Sequence, residues 1–252
     1  MPDAESRLLE LVAMSRALGQ PERGYAILGE GNTAARADAD SFWVKASGFA
    51  LDGIAEAGFV RVLIAPLMSA IEAELDDSGV ASALRECKSE PESPRPSVET
   101  FLHAIAISEG GAEFVGHTHP VAVNRVLCSN MAEEAVRGRL FPDEVVSCGP
   151  RSLYLPYADP GLTLARAFRD GMHRFLGADR EAPRVILIQN HGLIVLGSSP
   201  TEVLATTAMT VKAFEVLYGT YALGGPHFLE SRQVERIQGR PDEAYRRRLI
   251  SE

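Results

Sequence analysis

Three cysteines in 252 residues are too few for a disulfide framework. Cys87, Cys128 and Cys148 also lie far apart and in no metal-like spacing, so reduced, mostly buried thiols are expected. No apolar run approaches the roughly 20 residues that a membrane helix needs, which argues against a spanning segment. Basic charge is short as well. Lys and Arg number 25 against 34 Asp and Glu, a formal net charge of −9, whereas general nucleic-acid binding needs a basic footprint to neutralise phosphates. No Gly-x-x-x-x-Gly-Lys-Ser/Thr run occurs, so Walker-type nucleotide binding has no basis. Internal repeats and low-complexity segments are missing too. The acidic start Met1-Pro2-Asp3-Ala4-Glu5 runs straight into an amphipathic pattern, unlike a signal peptide, and a cytoplasmic location is the default expectation.

What is present is an ordinary globular balance, 46% hydrophobic and 23% charged residues, sufficient for one large domain with a sizeable core. Residues 1–252 are read as a single domain with a helical, Arg-rich tail from about 226. Leu8, Leu11, Val12, Ser15 and Leu18 recur at helical spacing and Gly19 stops that helix. Two short β-like runs flank the Asp38-Ala39-Asp40 turn, the second being Phe42–Lys45, and Phe59–Ile64 reads as a strand before a helix over 65–75. Cys87–Pro96, with three prolines in six positions, is an exposed loop. Ser97 is placed to cap a helix over Val98–Ser108 that Gly110-Gly111 closes. After a strand ending near His119, Pro120 begins a helix to about Cys128. Ser152–Leu155 is a strand and Leu162–Leu176 a helix. Val185–Gln189 and Leu193–Leu196 form a hairpin around Asn190-His191-Gly192. Pro200–Leu217 is a long helix and Glu230–Ser251 a polar one. Because several strands are joined by short hairpins, a mainly antiparallel or mixed sheet with helices on its faces fits better than a doubly wound parallel sheet.

The chemistry centres on Phe114–Pro120, an apolar run ending in His117-Thr118-His119. Alternate residues of a strand share a face, so the two imidazoles would project together about 7 Å apart along the chain. That is a chelating geometry for Zn²⁺ or a similar ion, whose catalytic sites usually take three protein ligands and leave one position open. Of the other histidines, His191 is best placed as third ligand, since a tight turn between two apolar strands holds it rigidly. His103, His173 and His227 read as packed or surface histidines. Glu99, in the first turn of the Ser97-capped helix, is the candidate general base beside such an ion. Gly31-Asn32-Thr33, Ser47-Gly48 and the Ser97 helix start could offer backbone donors and a hydroxyl to an anion. An anionic substrate would need such local dipoles, and a metal, against the global negative field.

Taken in order, these pieces resemble the class II aldolase/adducin family. Gly31-Asn32-Thr33 is similar to its Gly-Asn-x-Ser box, Lys45-Ala46-Ser47-Gly48 to its strand-end Ser/Thr-Gly, and Pro96-Ser97-Val98-Glu99 to its Pro-Ser-x-Glu. His117-Thr118-His119-Pro120 resembles its His-x-His pair, 18 residues after Glu99, and Asn190-His191-Gly192 its final His-Gly. The likeness spans residues 8–220.

The resemblance implies a three-layer α/β/α fold with a mainly antiparallel central sheet, often assembled as a tetramer. It also implies that His117, His119 and His191 bind Zn²⁺, or another divalent ion such as Mn²⁺ or Co²⁺, and that Glu99 is the acid/base. Gly31, Asn32, Ser47, Gly48 and Ser97 would surround a substrate phosphate. The implied activity is a zinc-dependent lyase that cleaves or forms a C–C bond in a small ketose, a sugar or sugar phosphate, through a metal-stabilised enediolate. A sugar-phosphate 4-epimerase, a dehydratase and a 3-oxo-sugar-acid decarboxylase would use the same site. An adducin-like interaction domain would keep the fold and lose the metal. Two departures stand out. Val98 replaces a second phosphate-binding serine, and Leu140-Phe141-Pro142-Asp143 stands where the family's sugar-phosphate aldolases carry a proton-donating tyrosine.

Overall fold

The computed structural model describes residues 3–179, 181–243 and 245. Seven strands, β1 (Asn32–Arg36), β2 (Ser41–Lys45), β3 (Phe59–Leu63), β4 (Phe114–Thr118), β5 (Leu153–Leu155), β6 (Val185–Ile188) and β7 (Gly192–Gly197), form one sheet of order β3-β2-β1-β4-β7-β6-β5. Every pairing is antiparallel except β5 with β6, and the short connections make β1–β2 and β6–β7 hairpins. The helices are α1 (Ala4–Leu18), α2 (Ile64–Glu72), α3 (Asp77–Glu86), α4 (Thr100–Ser108), α5 (Val121–Leu127), α6 (Ala132–Ala135), α7 (Pro142–Cys148), α8 (Leu162–Asp179), α9 (Pro200–Thr220) and α10 (Ser231–Gln238).

Strand alternation sorts the core into two layers. On β4, Val115 joins the cluster shared with α2, α3, α4 and α8, while Phe114 joins the one shared with α1, α5 and α9. The same alternation divides Ala34 from Ala35 on β1 and Ile194 from Val195 on β7. Helices therefore cover both faces of the sheet, giving the α/β/α layering. By the two-residue period His117 falls on the Val115 side, toward α4, and Asn32 on the Ala34 side with it. α1 is keyed to the opposite face by a buried hydrogen bond, 2.6 Å, between the Ser15 and Thr33 hydroxyls.

Central position explains α4. Thr100 to Ile107 are all buried, the pattern of a helix enclosed on every side. It begins later than the sequence predicts, at Thr100 rather than Val98. Ser97 Oγ accepts the Glu99 N–H at 3.3 Å and Ser97 O accepts that of Thr100 at 3.0 Å. Ser97 thus fixes the turn before the helix, and Glu99 occupies the N-cap position. α3 is a helix the sequence pattern did not reveal: Gly79 and a polar first turn mask it, yet the Asp76 carboxylate accepts the Gly79 N–H and starts it. The expected tail helix stops at Gly239, and Arg246-Arg247-Arg248 lie outside the described residues. Cys87 and Cys148 are buried and Cys128 is exposed, all three as free thiols. Among the described residues no helix is long and apolar enough to cross a membrane.

Candidate metal centre

The functional side chains meet where β4 ends. Register sets Asn32, at the start of β1, opposite His117 on β4, and His117 opposite Ile194 on β7. His119 follows one residue beyond β4, anchored by its N–H to the Tyr25 carbonyl at 2.7 Å. His191 sits in the β6–β7 turn, where Asn190 adopts a left-handed conformation with φ 53°. Its carbonyl accepts from Asn124 Nδ2 at 3.1 Å. The N-cap position of α4 delivers Glu99 to the same spot.

The three imidazoles face one another through their Nε2 atoms. His117 Nε2 lies 3.2 Å from His191 Nε2 and 3.1 Å from His119 Nε2, with the rings 68° to 74° apart in plane. His117 Nδ1 is 3.0 Å from the Leu193 carbonyl, which can only accept, so Nδ1 carries the proton and the Nε2 lone pair points into the centre. Converging imidazole lone pairs repel unless a cation lies between them. Nitrogen ligands about 2.0 Å from a tetrahedral Zn²⁺ stand about 3.3 Å apart, close to the spacing seen here. The donor set therefore fits a divalent ion of the Zn²⁺ type, and His117, His119 and His191 form the one such His/Cys/Asp/Glu group found among the described residues.

Electrostatics around the centre are strong. Burial alone would raise the Glu99 carboxyl, but the imidazoles of His117 and His191 reverse this and hold it well below the usual carboxylate range. Its Oε1 is 2.9 Å from His191 Nε2 and its Oε2 3.5 Å from His117 Nε2. Glu99 is thus ionised and near enough to share a cation with the histidines or to exchange a proton with a group bound there. Burial, then the neighbouring His117 and His191, push His119 down to about 3, which keeps that imidazole neutral and able to ligate. Burial also lowers His117, but the Glu99 charge outweighs it and leaves His117 above its ordinary value.

Gly31, Asn32, Ser47, Gly48 and Ser97 are brought to the same end of the sheet. An antiparallel bridge between Ala46 and Pro96 joins the loop after β2 to the segment before α4, with Ser47 N donating to Arg95 O at 2.9 Å. Ser47 and Gly48 are exposed, so their polar groups are open to solvent. Gly31 needs to be glycine twice over: φ is +67°, and a Cβ would stand 2.6 Å from the His117 carbonyl. The Asn32 amide is engaged within the protein, its Nδ2 donating to Glu99 Oε2 at 2.5 Å.

Two participants were missed by the sequence reading. His103, expected to be a packed or surface histidine, is buried and bonds through Nε2 to Asn32 Oδ1. Its position four residues after Glu99, one helical turn on, was the available signal. Lys45 is 3% exposed and donates from Nζ to the carbonyls of Gly29, at 3.3 Å, and Phe49. It braces the two glycine-bearing loops and places an ammonium beneath them. Burial lowers it and the Glu99 charge partly restores it. A cation in an otherwise apolar strand run was its signal.

Gly192 tests the ligand geometry. A Cβ there would meet His119 Cδ2 at 2.6 Å and Thr118 O at 2.7 Å. Gly192→Ala is expected to weaken zinc affinity by about 10–100-fold, the usual effect of disturbing groups that orient a ligand. Competition with a chromogenic chelator measures it, and an affinity equal to wild type would remove His119 from the ligand set.

Known proteins share this fold. The model of the class II aldolase and adducin N-terminal domain matches residues 9–218. A Bacillus subtilis protein described as the uncharacterized oxidoreductase YuxG is 27% identical over 199 residues, covering 75% of this chain and 26% of its own length. This chain therefore spans about a quarter of that relative. Among solved structures, the N-terminal class II aldolase domain of a conserved Thermoplasma acidophilum protein is 26% identical, with a TM-score of 0.66 over 83% of this chain and 92% of its own. The Klebsiella pneumoniae YgbL, a putative aldolase/epimerase/decarboxylase, is 17% identical with a TM-score of 0.71 over 94% of this chain and 100% of its own. The L-fuculose-1-phosphate aldolase of Thermus thermophilus is 17% identical, with a TM-score of 0.60 over 88% of this chain and 100% of its own.

Proposed function

Because the chain belongs to the class II aldolase and adducin family, we propose that it is a zinc-dependent aldolase-type lyase that cleaves or forms a C–C bond in a small ketose, a sugar phosphate. The observation that carries this reading is the juxtaposition of the Glu99 carboxyl group with three inward-facing imidazole nitrogens. An interaction domain has no use for a half-buried carboxylate held beside three converging ligands. When bound at His117, His119 and His191, a divalent ion supplies a Lewis acid that draws electron density from substrate oxygens and acidifies the neighbouring C–H.

Everything else falls to the protein. In the condensation direction Glu99 takes a proton from the carbon next to the carbonyl of the three-carbon ketone and the former aldehyde oxygen gains one; in cleavage that hydroxyl gives up its proton and Glu99 returns one to the carbon. Ser47, Gly48, Ser97 and the Gly31 backbone hold the anionic end of the substrate, and the Lys45 ammonium beneath these loops offsets the net negative charge of the chain. A homotetramer is the proposed assembly, in a cytoplasmic setting. Ile27, Leu28, Phe49 and Val98 are apolar, exposed and within four residues of a proposed site residue, which suits burial against another copy.

The test is a product-identified screen of ketose phosphates, their unphosphorylated counterparts and 3-oxo sugar acids with Zn²⁺, Mn²⁺ and Co²⁺. Formation of an aldehyde and a three-carbon ketone is expected. Epimer, alkene or CO₂ as the sole product would replace the aldolase reading, and equal rates on unphosphorylated sugars would remove the phosphate from it.

A further inference from the structure

Glu99 turns its two oxygens to different partners: Oε1 lies 2.9 Å from His191 Nε2, on the side of the metal centre, and Oε2 is held by a pair of residues from β1 and α4. Asn32 Nδ2 donates to Glu99 Oε2 at 2.5 Å. A carboxylate only accepts, so the amide nitrogen must face Glu99 and the amide oxygen must face away. That oxygen, Oδ1, meets His103 Nε2. An amide oxygen also only accepts, so His103 carries its proton on Nε2. The other ring nitrogen, Nδ1, is buried with no hydrogen-bond partner. A proton there would be a stranded donor, and it would leave two lone pairs facing each other at Nε2 and Oδ1. Burial in the core, moreover, pushes His103 down to about 3, so the ring stays neutral at working pH and keeps one donor.

We propose that His103 is a positioning residue that locks the Asn32 carboxamide, so that Asn32 holds Oε2 of Glu99 and leaves Oε1 as the oxygen that exchanges the proton. The chain of contacts runs from His103 on α4 through Asn32 on β1 back to Glu99 one helical turn earlier. Rotating the Asn32 amide by half a turn would set Oδ1 against the carboxylate and Nδ2 against the His103 N–H, breaking both bonds at once. The device therefore has one low-energy state. It also reassigns Asn32: both ends of its amide are occupied inside the protein, so its side chain steadies the base while the anion site is left to Ser47, Gly48, Ser97 and the Gly31 backbone, with Lys45 beneath them.

The proposal rests on the reading of Glu99 as the base, and the experiments separate the two. A long-range ¹H–¹⁵N spectrum of the zinc-loaded, ¹⁵N-histidine-labelled protein is expected to show His103 as the neutral Nε2–H tautomer between pH 6 and 8, and Asn32→Ala is expected to shift that signal. An Nδ1–H tautomer, or a signal indifferent to Asn32→Ala, overturns the proposal whether or not any sugar is turned over. On a substrate identified by the screen, His103→Leu is expected to lower kcat about tenfold, the scale of groups that orient site residues, with KM within about twofold and one zinc per chain retained. His103→Gln, which keeps a donor at similar reach, is expected to restore kcat to within about threefold of wild type. The double variant His103→Leu/Asn32→Ala is expected to be no slower than Asn32→Ala alone, because the two residues act as one unit. Additive losses, an unchanged kcat in His103→Leu, or zinc lost in step with activity would each overturn it. If His103→Leu does not fold, His103→Gln and Asn32→Ala carry the same comparison.

Discussion

Replacing His117 by alanine is expected to abolish stoichiometric zinc binding and, with it, turnover. His117 is the fully buried member of the triad and the one whose Nε2 touches both other ligating nitrogens. Its Nδ1–H is already committed to the Leu193 carbonyl, so the ring cannot rotate to offer another atom. Loss of a group that merely orients a ligand weakens metal binding by 10–100-fold, and loss of a ligand must cost more than that, so an affinity drop greater than about 10²-fold is expected. Metal analysis after gel filtration reads it directly. A second measurement guards against misfolding. A ligand present at 100 times its dissociation constant stabilises a fold by about 2.7 kcal/mol, which for a domain of this size raises Tm by roughly 5–10 °C. Zinc should give the wild type this increment and His117→Ala none, while the zinc-free proteins melt cooperatively. Full zinc occupancy in the variant would sink the ligand assignment.

The two histidines were legible because the period of a strand and the spacing of a chelate coincide at His117 and His119. His191 was legible because its turn joins two apolar runs. The strand set and the mixed, mainly antiparallel sheet followed from the same alternation together with the short hairpins. What escaped was information held in burial. Lys45 reads as the polar end of a strand until two loops close over it, and His103 reads as one more side chain on an apolar helix until β1 places Asn32 against it. Long-range register decides both, and spacing along the chain does not encode it. The start of α4 was misplaced for a related reason. Ser97 has the chemistry of an N-cap, but the bridge of Pro96 to Ala46 uses the preceding backbone, and the chain turns at Glu99 before it becomes helical. The same displacement makes the site, since it carries Glu99 out of the first turn and toward the histidines.

Glu99→Gln separates metal binding from proton transfer. The substitution keeps the shape of the side chain and an oxygen able to accept from Asn32 Nδ2, so packing around the half-buried position should survive. The three histidines are untouched, and zinc content is expected to stay near one per chain. What disappears is the negative charge and the ability to hold a proton. General acid–base catalysis contributes about 10²–10⁴-fold, so kcat should fall by at least ~10²-fold, a barrier increase of about 2.7 kcal/mol or more, with a much smaller change in KM. Steady-state kinetics on the metal-loaded variant measure this. Exchange of the three-carbon ketone's α-hydrogen with deuterated solvent measures the proton step alone, and it should slow at least as much as overall turnover. The two readouts distinguish roles that lie close together in space. If exchange persists while cleavage stops, Glu99 serves bond breaking and another group handles the carbon-bound proton. If zinc leaves with the charge, Glu99 is foremost a ligand, its oxygens at 2.9 and 3.5 Å from His191 and His117 belonging to the coordination shell. Activity within about threefold of wild type would exclude it as the base, because no other ionised carboxylate among the described residues stands as close to the three nitrogens: Glu30, the next, reaches only His119, at 3.9 Å.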